Sequence, residues 1–369
     1  MIRIRQGRVT GVKARRGDIT EITVQIPGEP EGKAYNYDLL TGPVKTGDTV
    51  VLNTTAVSKN LGTGGAHFVM ANVTIPPREA REPGHIMKLR YSPCQVKVLA
   101  AEEPDSPDAE IIKNTTSLDG VPVVVGTLHS MLAPAAAGAK AVTGGRARVV
   151  YVMTDGAALP LPLSNLVREL REKGLVDATI TCGHAFGGDW ECINIYTALL
   201  TAKAVARADV IIVAMGPGIV GTGSPLGFTG VEQGEIINAV NILGGQPVAI
   251  PRISFADPRE RHRGLSHHTV TALGKIALTP CTVVLPRLRD PEQNTLILEQ
   301  LSHAWPGDKH RQALEDGHPA LAELKRREIK VTSMGRTPKD DPAFFLSAGA
   351  AGIYAAKLAV GTASNKGNQ

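Results

Sequence analysis

The first 75 residues alternate between polar and apolar positions in short stretches that end at glycine or proline. Alternation with a period of two is the pattern of a β-strand that buries one face. Turn residues at short intervals between such strands are typical of a small barrel. The sequence therefore predicts a small N-terminal β-barrel over residues 1–75, built from IRIRQGRVTGVKAR, ITEITVQI, KAYNYDLL, TGPVKTGDTVVLNTT and HFVMANV.

The pattern changes after a proline-rich, charged segment, residues 76–90, which predicts a linker. Short β-branched runs such as VPVVVGTL, RARVVYVMT and ADVIIVAMG then alternate with helix-like stretches. Strands that are apolar along their whole length are typical of parallel sheets covered by helices on both faces. We therefore expect a Rossmann-like, mostly parallel α/β sandwich over residues 91–362, interrupted by a polar connector at 307–319 and followed by a frayed tail, 363–369.

Composition and charge narrow the function classes. The net charge of +5 and the pI near 9.0 permit an anionic partner but are modest for a dedicated nucleic-acid binder. The four cysteines form no C-x-x-C pair, which disfavours zinc ribbons and thioredoxin-like sites. Apolar runs such as ADVIIVAMG are too short to span a bilayer, and MIRIRQGRVTG lacks the apolar segment of a signal peptide. We expect a cytoplasmic protein with no membrane partner.

Polar residues collect after the predicted strands. Ligands of open parallel sheets bind beyond the carboxyl ends of the strands, so the loops that follow six predicted strands are candidate site segments. These loops are GTLHS with His129, MTDGAALPLP with Asp155, CGHAFGGDWE with His184 and Asp189, GPGIVGTGSPLGFTG, RISFADPRERHRGLSHH, and SMGRTPKDD with Arg336, which follows the predicted strand EIKVT.

RISFADPRERHRGLSHHT has the highest density of chemically active side chains. Ser266 is a candidate N-cap for a helix that begins at His267, which would place His267 and His268 at N–H groups that favour anions. Four neighbouring guanidinium groups strengthen the hypothesis of a phosphate or carboxylate site; they belong to Arg252, Arg259, Arg261 and Arg263. Acid–base work would fall to His262, His267 or His268, helped by His184 and Asp155.

Two alternatives stay open for the same segment. Imidazoles and carboxylates are ligands for zinc, iron or manganese, and the candidate set is His262, His268, Asp189 and Asp257. The other alternative is a solvated basic turn whose histidines only cap a helix.

GPGIVG, residues 216–221, matches the dinucleotide-binding pattern G-x-G-x-x-G after a predicted strand. Pro217 removes an N–H that a pyrophosphate would use, and the loop continues through GTGSPLGFTG before a helix can begin, so NAD binding is disfavoured. We expect instead a glycine-rich loop whose backbone contacts a ligand through Gly216, Gly218, Gly221 and Gly223, with His129 and Arg336 as further ligand contacts.

The predicted barrel is basic, with Arg3, Arg5 and Arg8 near its start. Small barrels bind single-stranded nucleic acid through such charge together with stacking aromatic rings. Aromatic residues are few here, namely Tyr35, Tyr37 and Phe68, so nucleic-acid binding is the weaker hypothesis.

Several of these segments together resemble a known bacterial family. The motifs NTTAV…LGTGGAHFV, GHIMKLRYSP, MTDGAALPL, GHAFGGD, GPGIVGTG and RISFADPRERHRGLSHHT, in this order over nearly the whole chain, are similar to domain of unknown function family 3866. The resemblance implies a bacterial cytoplasmic protein and carries no catalytic residue with it.

The leading hypothesis is an enzyme, a hydrolase or a lyase, that acts on an anionic small molecule. A non-enzymatic sensor with the same pocket and a nucleic-acid-associated protein are the alternatives. The small-residue stretch SAGAAGIYAAKLA predicts a packing surface, either within the chain or between the subunits of a homo-oligomer.

Overall fold

The structure is a computed structural model that describes residues 1–366 except 63, 77, 78, 80–82 and 306, and it describes the side chains up to residue 361. The chain forms two compact units, Met1–Val98 and Leu99–Gln369. Each unit has its own hydrophobic core.

The first unit contains a closed five-stranded barrel, which confirms the predicted N-terminal barrel. Its strands pair in the order β1-β2-β3-β5-β4, and all pairs are antiparallel except β3 with β5. Inward-facing Val and Ile residues of alternating strand positions fill the barrel. The elements are β1 (Ile4–Arg16), β2 (Ile19–Gln25), β3 (Gly32–Tyr37), α1 (Asp38–Thr41), β4 (Thr49–Asn53), α2 (Thr55–Ser58) and β5 (Ala66–Asn72).

A short antiparallel hairpin ends the first unit, formed by β6 (Ile86–Lys88) and β7 (Val96–Val98). The division between the units thus lies after Val98, beyond the segment 76–90 that predicts a linker. Residues 77, 78 and 80–82 of that segment lie outside the described residues.

The second unit is built on an eight-stranded sheet in which every pair is parallel, as the apolar strands predict. The strand order is β11-β10-β9-β12-β8-β13-β16-β17. The strands are β8 (Pro122–Val125), β9 (Val149–Thr154), β10 (Ala178–Thr181), β11 (Trp190–Glu191), β12 (Val210–Met215), β13 (Gln246–Ala249), β16 (Thr282–Pro286) and β17 (Arg311–Glu315). Between β13 and β16 a separate antiparallel pair joins β14 (Ile253–Ser254) to β15 (Gly264–Leu265).

Helices cover both faces of this sheet, which confirms the Rossmann-like α/β architecture. The first face packs α4 (Leu132–Val142), α5 (Asn165–Glu172), α10 (His318–Arg326) and α11 (Pro342–Lys366). The second face packs α3 (Ala109–Lys113), α6 (Ile195–Ala204), α7 (Glu232–Ile242), α8 (His267–Thr271), which continues as a π-helical turn, Ala272–Ile276, and α9 (Pro291–Ser302).

The connections around β8 create a crevice. The chain leaves β8 toward α4 on the first face, but it leaves the neighbouring strands β12 and β13 toward α7 and α8 on the second face. Loops that diverge in this way open a cleft at the carboxyl ends of the strands, where ligands of α/β proteins bind.

Two local predictions from the sequence are wrong. EIKVT is not a strand. Its apolar residues Ile329 and Val331 are buried in the core on the first face of the sheet, which explains their hydrophobicity without any strand pairing. Within the predicted polar connector, residues 311–315 form the edge strand β17, whose exposed side chains give it a polar sequence. The last helix continues to Lys366, into the segment expected to fray, and residues 367–369 lie outside the described residues.

Within α11, Pro342–Gly361 is long and apolar enough to cross a membrane by length and composition, but 72% of its most apolar stretch is buried inside the fold. Its small residues pack against α4. A Cβ added to Gly352 would collide with the carbonyl oxygen of Ala135, so the two helices touch at backbone distance. The small-residue stretch is therefore a packing surface within the chain.

Candidate functional site

A short hairpin and a helix cap bring three histidines together in the second unit. Strands β14 and β15 pair Ile253 with Leu265, which folds the intervening loop back toward the end of β13. Ser266 then caps α8, since its hydroxyl oxygen accepts a hydrogen bond from the N–H of His268. This confirms the predicted cap and the predicted helix start at His267.

We call His262, His267 and His268 the histidine cluster. One ring nitrogen from each of them lies within 4.8 Å of the other two. The rings of His262 and His268 are nearly perpendicular, with centroids 4.8 Å apart. The ring centroids of His267 and His268 are 4.4 Å apart. His262 is fully buried and His268 nearly so. This arrangement includes all three histidines of the segment, including His267, which the predicted metal set left out.

Hydrogen bonds define which nitrogen carries the proton in two of these rings. A guanidinium group only donates, so the 3.2 Å contact from Arg252 makes Nδ1 of His268 an acceptor and leaves its proton on Nε2. Ser266 Oγ already accepts from a backbone N–H, and its remaining contact is His262 Nδ1 at 2.7 Å. We therefore assign the Ser266 hydroxyl as the donor to His262 Nδ1, which leaves the proton of His262 on Nε2 as well.

The Nε2 atoms of His262 and His267 are buried and have no hydrogen-bond partner among the residues that the structure describes. A buried polar group without a partner costs roughly 1–3 kcal/mol. Such groups are rare in folded proteins, where a water, an ion or a ligand supplies the missing partner.

The cluster is uncharged at neutral pH. Burial, and after it the nearby charge of Arg252, lowers the pKa of His262 and of His268 to about 3. Burial also lowers the pKa of His267. All three imidazoles thus offer neutral ring nitrogens to a ligand.

An ionic network of Arg252, Asp257, Arg259 and Arg336 supports the cluster. The buried Asp257 carboxylate accepts from Arg259 at 2.8 Å and from Arg252 at 3.2 Å, and Arg336 lies 3.5 Å away. Hydrogen bonds from Arg259 hold the pKa of Asp257 far below its usual range. Because the carboxylate oxygens of Asp257 already accept hydrogen bonds from Arg252 and Arg259, Asp257 is a poor candidate for a metal ligand.

The glycine-rich loop after β12 closes against the histidine cluster. Phe228 stacks on the ring of His268 with centroids 3.9 Å apart and planes 4° apart. Gly221 bridges to Phe228, and a Cβ on Gly221 would lie 3.6 Å from His268 Nε2. Of the other predicted glycines, Gly216 is buried, whereas Gly218 and Gly223 are exposed. The structure thus brings this loop and the RHRGLSHH segment into one site.

His129 lies apart from these contacts, at the end of β8. Its Nδ1 faces the carbonyl oxygen of Met215 at 3.3 Å, and its Nε2 lies 2.7 Å from Ser164 Oγ. Burial lowers its pKa to about 4. The ring lines a cavity of about 400 Å³ whose wall includes Met334. The sulfur of Met334 accepts weakly from Arg252, so this cavity borders the ionic network.

The other predicted contributors form a second group at the ends of β9 and β10. Asp155 accepts from the backbone N–H of His184 at 2.9 Å. Glu232, at the start of α7, accepts from Thr154 at 2.7 Å, and burial raises its pKa to about 7. Asp155 and His184 follow β9 and β10, whereas the histidine cluster follows β13, which lies three strands from β9 and four from β10. Glu232 follows β12 and reaches this second group through Thr154.

Asp189 does not join either group. Its carboxylate accepts from the N–H of Thr179 and pairs with Arg171 at 2.7 Å beside the edge strands β10 and β11. Strand β10 lies four positions from β13, which is roughly 19 Å at the usual strand spacing. The structure therefore does not bring together the predicted set of His262, His268, Asp189 and Asp257.

Arg261 and Arg263 are exposed beside the cluster, and the charge of Arg261 contributes to the lowered pKa of His267. Sequence reasoning missed Phe228, Glu232 and Asp341, which accepts from Ser254 at 2.6 Å and faces Arg336. Phe228 is the one aromatic residue of the glycine-rich loop and Glu232 the first acid after it, which are the signals that the sequence offered.

Residues 33–352 match a family model described as "Protein of unknown function (DUF3866)". No curated protein matches the chain. No solved structure matches it either.

Proposed function

Because the chain belongs to this family of unknown function, which brings no activity with it, we propose a function from the site alone. We propose that the protein is an enzyme that acts on a small molecule bearing a phosphate or carboxylate group, bound at the histidine cluster near the carboxyl ends of β8, β12 and β13. A hydrolase or a lyase fits this arrangement.

The unpartnered Nε2 of His262 carries the proposal. With its Nδ1 accepting from Ser266, the neutral ring presents Nε2–H as a donor, and an anionic oxygen is the acceptor that would satisfy it. The tautomer assigned to His268 supplies a second donor of the same kind. A neutral imidazole can stabilise charge that develops on a reacting oxygen, or donate its proton to a leaving group.

The charge around the cluster favours an anion over a metal cation. Arg252, Arg259, Arg261 and Arg336 outnumber Asp257 and Asp341, which leaves a net positive field. A metal on Nε2 of His268 would also have to displace the proton that the contact from Arg252 holds there. The residues therefore fit an anion better than zinc, iron or manganese.

Phosphate binding tests the proposal. Untagged protein is titrated with orthophosphate, pyrophosphate and small dicarboxylates, with binding followed by calorimetry and by thermal shift. We expect stabilisation of the wild type, lost in His262→Ala and in His268→Ala but kept in His303→Ala, which removes an exposed histidine. Stoichiometric zinc, iron or manganese that disappears in the same cluster variants would overturn the anion site in favour of a metal centre.

Turnover separates an enzyme from a sensor. Phosphate esters and anhydrides are screened for hydrolysis or elimination, with the best ligands of the binding experiment guiding the choice. Turnover by the wild type that is lost in His268→Ala identifies an enzyme, whereas binding by the wild type without turnover of any of these compounds identifies a sensor.

The barrel supports a second candidate, single-stranded nucleic-acid binding. Tyr35 and Phe68 face each other across β3 and β5, Tyr37 stacks on Phe68, and the Lys33 ammonium lies 4.7 Å from the centre of the Tyr35 ring. Stacking rings beside cations are what such ligands need. However, Arg3 and Arg5 lie against Glu29, which reduces the free charge.

A gel-shift titration with single-stranded RNA at increasing salt tests this candidate. Binding that weakens with salt and is lost both in Tyr35→Ala and in the combined replacement of Arg3, Arg5 and Arg8 by alanine would support it. Absence of binding at low salt would rule it out.

We also propose a cytoplasmic location. The four cysteines are free thiols, and Cys94 is exposed, which suits a reducing compartment.

A further inference from the structure

The large sheet has one protected edge and one open edge. At the protected edge, Ala100 bridges to Glu191 of β11, and the N–H of Ala101 donates to the carbonyl oxygen of Glu191. At the opposite edge, β17 pairs with β16 on one side only within the described chain. An open edge exposes backbone donors and acceptors that another strand can use.

Hydrogen bonds to β16 show which backbone groups of β17 remain available. Arg311 donates to the carbonyl oxygen of Cys281, and the carbonyl oxygen of Glu315 accepts from Arg287, each at 2.9 Å. Alternate residues of a strand direct their N–H and C=O to opposite sides. The backbones of Arg311, Ala313 and Glu315 therefore face β16, and those of Gln312 and Leu314 face outward.

We infer that β17 pairs antiparallel with β17 of a second copy of this chain, about a two-fold axis at Ala313, so that two eight-stranded sheets join into one. In this register Gln312 lies opposite Leu314 of the partner subunit. Both are the outward-facing residues, so each such pair exchanges its N–H and C=O bonds. Ala313 lies opposite Ala313 of the partner subunit, as a non-hydrogen-bonded pair.

The side chains of RQALE fit the same register. Arg311 faces Glu315 of the partner subunit, and the two-fold axis repeats this opposite-charge pair at the other end of the strand. Opposite charges directly across an antiparallel pair are favourable, whereas a parallel or shifted pairing would lose both. Glu315 is held in place by Lys357, at 2.6 Å.

Exposed apolar surface lies beside this edge. Leu314 and Leu298 are 55% and 53% exposed, and they line a groove of about 460 Å³ between β17 and α9. Exposed apolar surface next to an open strand marks an association site. A second copy suits it because the charge pattern of β17 is complementary to itself.

The oligomeric state of the full chain tests this inference. Light scattering after gel filtration, over a micromolar concentration range, should give twice the chain mass of 38.9 kDa for the wild type. Gln312→Pro removes an outward N–H that the fold does not use, so it should give a folded monomer. Gln312→Ala keeps that N–H and should remain a dimer. Circular dichroism and the melting temperature of each variant verify folding.

A cysteine cross-link tests the register. In a Cys94→Ser background, which removes the exposed thiol, Ala313→Cys places two cysteines across the axis at a Cα distance of about 4.5 Å, within disulfide range. Mild oxidation should link this variant into a dimer. Leu314→Cys is the control, since its two copies lie about 7–8 Å apart on the diagonal and should not link.

A wild type that is monomeric throughout overturns the inference and leaves the edge to an extended segment of another protein. A dimer that survives Gln312→Pro, or that fails to cross-link through Ala313→Cys, also overturns it, because the two chains would then meet elsewhere or in another register.

Discussion

At the scale of single residues, the buried Glu232 makes stability depend on pH. Burial raises its pKa from 4.5 to about 7, so between these values the unfolded chain has released a proton that the folded chain retains. Raising the pH through this window therefore favours unfolding, by up to about 3 kcal/mol at 1.36 kcal/mol per pKa unit. Glu232→Gln keeps the acceptor for Thr154 and should be more stable than the wild type at pH 8. Parallel urea-unfolding profiles of the two proteins from pH 4.5 to pH 8 would contradict this.

Arg252 links the ionic network to the histidine cluster. It is buried, and it contacts both Asp257 and His268, so Arg252→Met leaves a buried acceptor on His268 and weakens the charge balance of Asp257. We expect a loss of about 2 kcal/mol in the free energy of unfolding. Phosphate affinity should fall at least tenfold with it.

Arg146→Met is the matched control, since Arg146 is exposed and belongs to none of the candidate site segments. Denaturant titration and calorimetry of both variants measure the two effects. Equal behaviour of the two variants would show that Arg252 has no special role.

The sequence predicted the local part of this site and missed the part that depends on distant contacts. The Ser266 cap, the helix start at His267 and the density of charge follow from neighbouring residues. The stacking of Phe228 on His268 and the diversion of Asp189 to Arg171 depend on which strands become neighbours. The spacing of residues along the sequence does not show which strands become neighbours in the sheet.

At the scale of elements, the contact between α4 and α11 tolerates no side chain at its closest point. Gly352→Ala would drive a methyl group into the carbonyl of Ala135, and separating the helices should cost about 2 kcal/mol or more. Gly361→Ala is the control in the same helix, because nothing lies within 4 Å of its added Cβ. The control should gain up to about 1 kcal/mol from helix propensity. Thermal denaturation of both variants checks this, and equal stabilities would contradict the close contact.

The predicted elements were correct where burial on both faces left an unbroken apolar run, as in β9 and β12. The predictions failed for one segment that is buried without being paired in a sheet, and for one that is paired in a sheet without being buried. Ile329 and Val331 are apolar because they lie under helices, and β17 is polar because it lies at the sheet edge. Hydrophobic pattern reports burial, and only indirectly the hydrogen-bonding partner that defines a strand.

At the scale of the whole molecule, acid should unfold this protein through its neutral histidines. Burial lowers the pKa of His129 to about 4 and those of His262 and His268 to about 3, from 6.5. Below pH 6.5 these histidines are protonated in the unfolded chain but stay neutral in the folded chain. The free energy of unfolding therefore decreases as the pH falls from 6.5 toward these lowered pKa values. At pH 5 each group contributes a loss of roughly 1–2 kcal/mol.

The trend opposes that of Glu232, so it is measured in a Glu232→Gln background, in buffer without phosphate. The free energy of unfolding should fall steeply from pH 6.5 to pH 4, and replacing His262 and His268 by glutamine should flatten the slope. Bound phosphate should raise the whole curve in the parent protein and leave that of the double variant unchanged, because the ligand binds only the folded cluster. A slope that is the same with and without the two histidines would show that acid acts on the molecule elsewhere.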